Sequence, residues 1–194
     1  MIRATVLKSS AHRRMPWKNG GGETIEIAVS PEGATLSDFG WRLSMATVAT
    51  DGPFSIFAGI DRTLSILDGN GMWLTIDGAN PVLLTRDSAP LSFPADVDVS
   101  ATLPDGPILD LNVMTWRKGF RHRVDRVDAD STITVHATAP TWVLLCHAGA
   151  LTVDLGGQHA DLGPKDALLL EQAKGKVVIV SGKAHCYLIS IDPI

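Results

Sequence analysis

"TLSILDGNGMWLTIDG", residues 63–78, and "TWVLLCHAGALTVDLGG", residues 141–157, are two versions of one pattern. Each opens on Thr, runs through apolar residues, breaks at glycine and resumes towards a second glycine turn. Leu74-Thr75-Ile76-Asp77 recurs as Leu151-Thr152-Val153-Asp154 at an offset of 77, and Asp87 before "SAPLSF" is echoed by Asp166 before "ALLLE" at an offset of 79. A unit that recurs at a near-constant offset implies two copies of one supersecondary structure. Its period of two and its β-branched content make that unit a set of short strands.

The same reading extends outward along the chain. Strands are expected at 24–29, 41–46, 63–67, 72–76, 82–84, 91–93, 97–103 and 108–114, and a second series at 132–136, 141–145, 151–155, 167–170, 177–180 and 187–191. Turn chemistry separates them, in "SPEG", "TDGP", "LDGNG", "DGANP", "PDGP", "LGGQ", "LGPKD" and "SGK". No long helical period occurs. Many short, evenly spaced strands imply an all-β sandwich or barrel. The halves divide within "TWRKGFRHRVDR", giving an N-terminal domain of 1–116 and a C-terminal domain of 117–194.

The chain has 194 residues, of which 45% are hydrophobic and 20% charged, with a net charge of −4. A chain of this size buries a core without staples. An acidic balance argues against nucleic acid as a partner. The basic cluster Arg117, Lys118, Arg121, Arg123 and Arg126 reads as a solvated connector or a charge-protected edge strand. No apolar h-region and no run of membrane-spanning length is present, so a cytoplasmic protein without membrane association is expected. Cys146 and Cys186 read as reduced, buried residues.

Templates for common chemistries are missing. The six histidines, His12, His122, His136, His147, His159 and His185, form no His-x-His pair, and no Cys-x-x-Cys exists. No metal and no cofactor is therefore expected. There is no Gly-x-Ser-x-Gly elbow, no Lys placed as in a phosphate loop, and no helix after "GNG" to complete a dinucleotide site.

The stretch "MPWKNGGGET", residues 15–24, followed by "FGWRLSMATVATDGPFSIFAGIDRTLSILDGNGM" and then "LDLNVM", resembles the HutD/Ves family. The resemblance covers nearly the whole chain and is sharpest over residues 15–114. It implies a bicupin, two cupin-type (RmlC-like) jelly-roll β-barrels in one chain, associated with histidine utilisation. It also places "WKNGGGET" at the mouth of the first barrel.

Strand parity then selects a site. Arg42, Ser44 and Ala46 share one face of their strand, and Asp110, Asn112 and Met114 share one face of theirs. Arg62 opens another strand, where its neighbour Asp61 offers a surface ion pair as the alternative. Trp17 can wall a pocket, Lys18 brings a mobile cation, Asn19 and Thr24 bring polar groups, and Gly20 and Gly21 permit close backbone approach. The expected ligand-binding set is Trp17, Lys18, Asn19, Gly20, Gly21, Thr24, Arg42, Ser44, Arg62, Asn112 and Met114. Arginines with polar donors suit a small anion, a carboxylate or formyl-amino acid. No activated nucleophile is evident, so binding in support or regulation of histidine utilisation is expected. The alternative is a cofactor-free isomerase or hydrolase with Asp110 or Lys18 carrying the proton. The C-terminal half reads as an apolar core serving stability or assembly, with a homodimer one form open to it.

Overall fold

Turn residues cut residues 2–194, the part that the computed structural model describes, into extended segments with almost no helix. In chain order the strands are β1 (Arg3–Leu7), β2 (Arg13–Pro16), β3 (Gly22–Ser30), β4 (Trp41–Val48), β5 (Gly52–Pro53), β6 (Ile60–Asp68), β7 (Met72–Ile76), β8 (Val82–Leu84), β9 (Leu91–Pro94), β10 (Val99–Thr102), β11 (Ile108–Trp116), β12 (Phe120–Ala129), β13 (Ile133–His136), β14 (Thr141–Asp154), β15 (His159–Leu162), β16 (Ala167–Glu171) and β17 (Val177–Pro193). A 3-10 turn at Ser9–Ala11 follows β1. No helix among the described residues is long and apolar enough to cross a membrane.

Two compact units result. The first comprises Arg13–Arg121 with Ile194, the second residues 2–12 with His122–Pro193. The expected boundary at 116/117 thus lies at 121/122, and residues 2–12 belong with the second unit instead of the first. The reason is pairing: β1 runs antiparallel to β16, Arg3 opposite Glu171 through to Leu7 opposite Ala167. Asp166 pins this arrangement by accepting from Lys8 Nζ at 2.8 Å, Ser9 N at 2.7 Å and Gly163 N at 3.0 Å.

The first unit holds a six-stranded sheet, β2-β3-β4-β11-β6-β9, and a four-stranded sheet, β5-β10-β7-β8. Strands β4 and β11 lie at the centre of the larger sheet and are buried along most of their length. Val48, Leu64, Ile66, Phe93 and Ile108 from one sheet pack with Met72, Leu74, Leu84, Val99 and Ala101 from the other.

The second unit is a seven-stranded sheet ordered β1-β16-β14-β17-β12, with β13 added to β17 and β15 to β14. Its core includes Trp142, Leu144, Cys146, Leu168, Leu170, Val178 and Val180. The alternation is clean in β14, where Trp142, Leu144 and Cys146 join this core while Val143 and Leu145 are buried outside it. Expected strands 141–145 and 151–155 are one strand, β14, and 177–180 and 187–191 are one strand, β17. Their pairing runs from Thr141 opposite Ile191 to Asp154 opposite Ile179, with a register shift between Cys146 and Ala148. The glycines at 149 and 182 lie within this ribbon without ending it. The basic stretch after Arg117 also belongs largely to a strand, β12, at one end of the sheet order.

Candidate ligand cavity

Three central strands align their side chains in rows. Across β4, β11 and β6, Arg42 stands opposite Met114, which stands opposite Arg62. The next row is Ser44, Asn112 and Leu64, and the next is Ala46, Asp110 and Ile66. Because the side-chain period is two, these rows point to one face. That face borders a cavity of about 740 Å³ in the first unit. Trp17, Lys18, Asn19, Thr24, Arg42, Ser44, Arg62, Asn112 and Met114 all line it, as does Asp110.

Gly20 and Gly21 do not line the cavity. Their role is the turn between β2 and β3. Gly20 has φ +72° and donates its N–H to the Trp17 carbonyl at 3.1 Å. Gly21 N donates to Asn19 Oδ1 at 3.0 Å, and its carbonyl accepts from Ala49 N at 2.9 Å. Gly22 is excluded from bearing any side chain, since a Cβ there would meet the Thr47 carbonyl oxygen at 2.1 Å and the Trp17 ring at 3.0 Å. The glycine run thus brings backbone against backbone and against Trp17. Trp17 is fixed further by its indole N–H, which donates to Thr24 Oγ1 at 2.8 Å. Lys18 and Asn19 are exposed at this rim.

The charges deeper in are differently provided for. Arg42, 5% exposed, donates from Nε to Glu26 Oε2 at 2.7 Å. Arg62, 6% exposed, is not the surface partner of Asp61; Asp61 instead accepts from Arg117 Nε at 2.7 Å. Strand alternation sends the two neighbours to opposite sides. The Arg62 guanidinium carbon lies 5.2 Å from the Phe54 ring centre, 5.4 Å from Phe57 and 5.9 Å from Phe93. Its Nε is buried without a hydrogen-bond partner. Burial lowers its pKa to about 10, opposed by the charge of Asp110 and reinforced by that of Arg42. Aromatic faces attract a guanidinium but do not satisfy its N–H groups.

Asp110 is 1% exposed. Asn112 Nδ2 donates to its Oδ1 at 2.6 Å. Burial pushes its pKa up to about 7, against the lowering influence of Arg62, Asn112 and the Ala46 backbone. The cavity therefore joins a guanidinium lacking a hydrogen-bond acceptor at Nε to a buried carboxyl group whose pKa is pushed well above the usual carboxylate range.

Glu26, Phe54 and Phe57 escape the sequence reading. Glu26 stands opposite Ser44, one row from Arg42 on the same face, in a pairing of β3 with β4 that neither strand's own sequence discloses. The aromatic signal was present in "PFSIFAG", whose backbone is tied by Phe54 N to the Val99 carbonyl and Phe57 N to the Ala95 carbonyl, each at 2.8 Å. Among the described residues, no group of three or more His, Cys, Asp or Glu side chains is placed to hold a metal ion. His185 meets Asp128 at 2.7 Å on the surface of the second unit.

Residues 9–188 match the family model described as HutD. The chain belongs to the HutD family. A 21.2 kDa protein in the hutC 3' region of Pseudomonas putida is 36% identical over 173 residues, 88% of each chain. The solved structure of a conserved protein from Pseudomonas aeruginosa PAO1 superposes with a TM-score of 0.90 at 33% identity, covering 98% of this chain and 99% of that one. HutD from Pseudomonas fluorescens SBW25, solved in a formate condition, superposes with a TM-score of 0.84 at 34% identity, covering 99% of this chain and 100% of that one. More remote neighbours of this HutD-family chain are cupin-like and share the fold alone, YhhW from Escherichia coli among them at 9% identity and a TM-score of 0.70.

Proposed function

We propose that this HutD-family chain is a metal-free bicupin that binds a small carboxylate or formyl-amino acid in the cavity of its first unit, and so supports or regulates histidine utilisation. The observation that carries this reading is Arg62. It is almost wholly buried, walled by three phenylalanines, and its Nε has no acceptor among the described residues. A buried donor without an acceptor costs about 1–3 kcal/mol, which a ligand carboxylate would recover. Arg42, in the same row, is already held by Glu26, which leaves Arg62 as the donor for a ligand. Phe54, Phe57, Met114 and Trp17 offer apolar walls to the body of the ligand. The repeat in the sequence and the cupin-like neighbours support two cupin-type barrels, one per unit.

Calorimetry with N-formylglutamate, urocanate, glutamate and formate tests the reading. Arg62→Met preserves volume and removes the donors, and should weaken binding by roughly 2–4 kcal/mol with the fold intact by circular dichroism. Lys18→Ala at the exposed rim should cost about 1 kcal/mol or less, because solvent screens it. The proposal fails if no small carboxylate binds, or if Arg62→Met binds as the parent does.

Asp110 favours a second reading. A buried carboxyl group titrating near neutrality is suited to general acid–base work. Turnover of any of these compounds by the parent, lost in Asp110→Asn, would make the cavity the active site of an isomerase or hydrolase.

A further inference from the structure

The charges inside the cavity admit a simple count, and it rests on the carboxylate-binding reading above. Arg42 and Glu26 neutralise each other at 2.7 Å. Arg62 and an ionised Asp110, both essentially buried, also sum to zero. At the rim, exposed Lys18 and Asp51 again carry opposite signs. With Asp110 ionised, the site has no net charge to offer an anion. With Asp110 protonated, it carries one net positive charge, on the guanidinium whose Nε lacks an acceptor.

We infer that the cavity takes up one buried negative charge together with one proton, and that Asp110 holds the proton. The groups facing Asp110 define the coupling. Arg62 on β6 stabilises its ionised form, Arg42 on β4 is already neutralised by Glu26 of β3, and Asn112 on its own strand β11 donates to Oδ1. A ligand carboxylate beside Arg62 cancels the field that keeps Asp110 ionised and adds a like charge in a desolvated space. The proton comes from solvent, and no bond other than the carboxyl O–H is made. Once protonated, Asp110 can donate to a ligand oxygen, which an ionised carboxylate cannot do. Since the free group titrates near neutrality, uptake should be partial at pH 7 and close to one proton above pH 8.

The ligand class follows from the same count. One anionic head enters the interior, and any second carboxylate stays at the rim near Lys18. Formate, with a single charge, and N-formylglutamate, with two, should therefore take up the same number of protons.

The test is calorimetry of the full chain with both probes at pH 8, in buffers of differing ionisation enthalpy, followed by affinities from pH 6 to pH 9. The expected result is uptake of about one proton for each probe, and a Kd that rises towards tenfold per pH unit above pH 7. Asp110→Asn, which mimics the neutral acid, should bind with little pH dependence and take up no proton. Measurement on the parent alone suffices if that variant does not fold. A parent that binds either probe with no buffer dependence and a flat profile overturns this inference and leaves carboxylate binding standing. Two protons taken up with N-formylglutamate overturns the single buried charge, and persistent uptake in Asp110→Asn overturns the assignment to Asp110. Binding of neither probe at any pH overturns this inference together with the function it rests on.

Discussion

Asp110 in the first unit and Asp166 in the second are both buried aspartates on all-β scaffolds, and burial drives each towards its neutral form. The outcomes are opposite. Asp166 receives Lys8 and the backbone N–H groups of Ser9 and Gly163, and these outweigh burial to bring its pKa down to about 2. Asp110 receives one side-chain amide at 2.6 Å, the Ala46 backbone and the field of a guanidinium, which do not outweigh its burial, and its pKa stays up at about 7. Asp166 is a structural acid whose needs are met by the chain itself. Arg62 is left with an Nε that has no acceptor among the described residues, beside Asp110 and open space, which is the physical mark of a place for a ligand.

The sharpest separation between the two units is in how each tolerates lost volume. Trp142 is 2% exposed in the core of the second unit, packed among Leu144, Leu168, Leu170, Val178 and Val180 of the same cluster. Trp142→Ala should lower stability by about 3–5 kcal/mol, measured by denaturant titration. A loss below about 1 kcal/mol would show that core to be loosely packed.

The two aspartates should also answer pH in opposite senses. Asp110 has a folded pKa raised above the unfolded value of 3.8, so its contribution is present below that value and lost as pH rises through about 7. The parent should lose on the order of 2–4 kcal/mol from this group between pH 4 and pH 7.5, and Asp110→Asn should remove the loss. Asp166 has a folded pKa lowered to about 2, so its contribution is present above 3.8 and lost as pH falls through about 2. Asp166→Asn should be about 1–2 kcal/mol less stable than the parent at pH 7, a gap that closes at acid pH. Thermal melts of both variants across pH 2–8 decide this. Parallel profiles would erase the contrast.

The glycine turn gives the smallest effect. Gly20→Ala meets open space but an unfavourable positive φ, and should cost about 1 kcal/mol. Gly22→Ala, with the Thr47 carbonyl at 2.1 Å from the added Cβ, should cost clearly more. Equal costs would mean that the close approach of β3 to β4 is soft.

What the sequence disclosed follows local rules. Met72–Ile76 and Val82–Leu84 are legible to the residue because alternation and glycine or proline turns bound them on both sides. Arg42, Ser44, Asn112 and Met114 are legible as one cavity face because parity survives unbroken along β4 and β11. The rest depends on events that one strand does not record. β2, "RRMP", is too basic to read as a strand until a neighbour pairs with it, and β12, "FRHRVDRVDA", reads equally as a connector or as the edge strand it is. The burial of Arg62 depends on Phe54, Phe57 and Phe93, brought in from outside its strand. The Glu26 partner of Arg42 comes from the neighbouring strand β3, whose pairing with β4 neither strand records by itself.

The pairing of β1 with β16 has a consequence in time. A ribosome emits Lys8 early and its acceptor Asp166 more than 150 residues later. Residues 13–121 carry nearly all of the first unit in one uninterrupted stretch, so they can close while synthesis continues. β1 must wait, unpaired with β16, until residues 167–171 have emerged. Separating β1 from β16 by the whole of residues 13–121 makes completion of the second unit follow that of the first, and makes the waiting strand an exposed edge of the nascent chain.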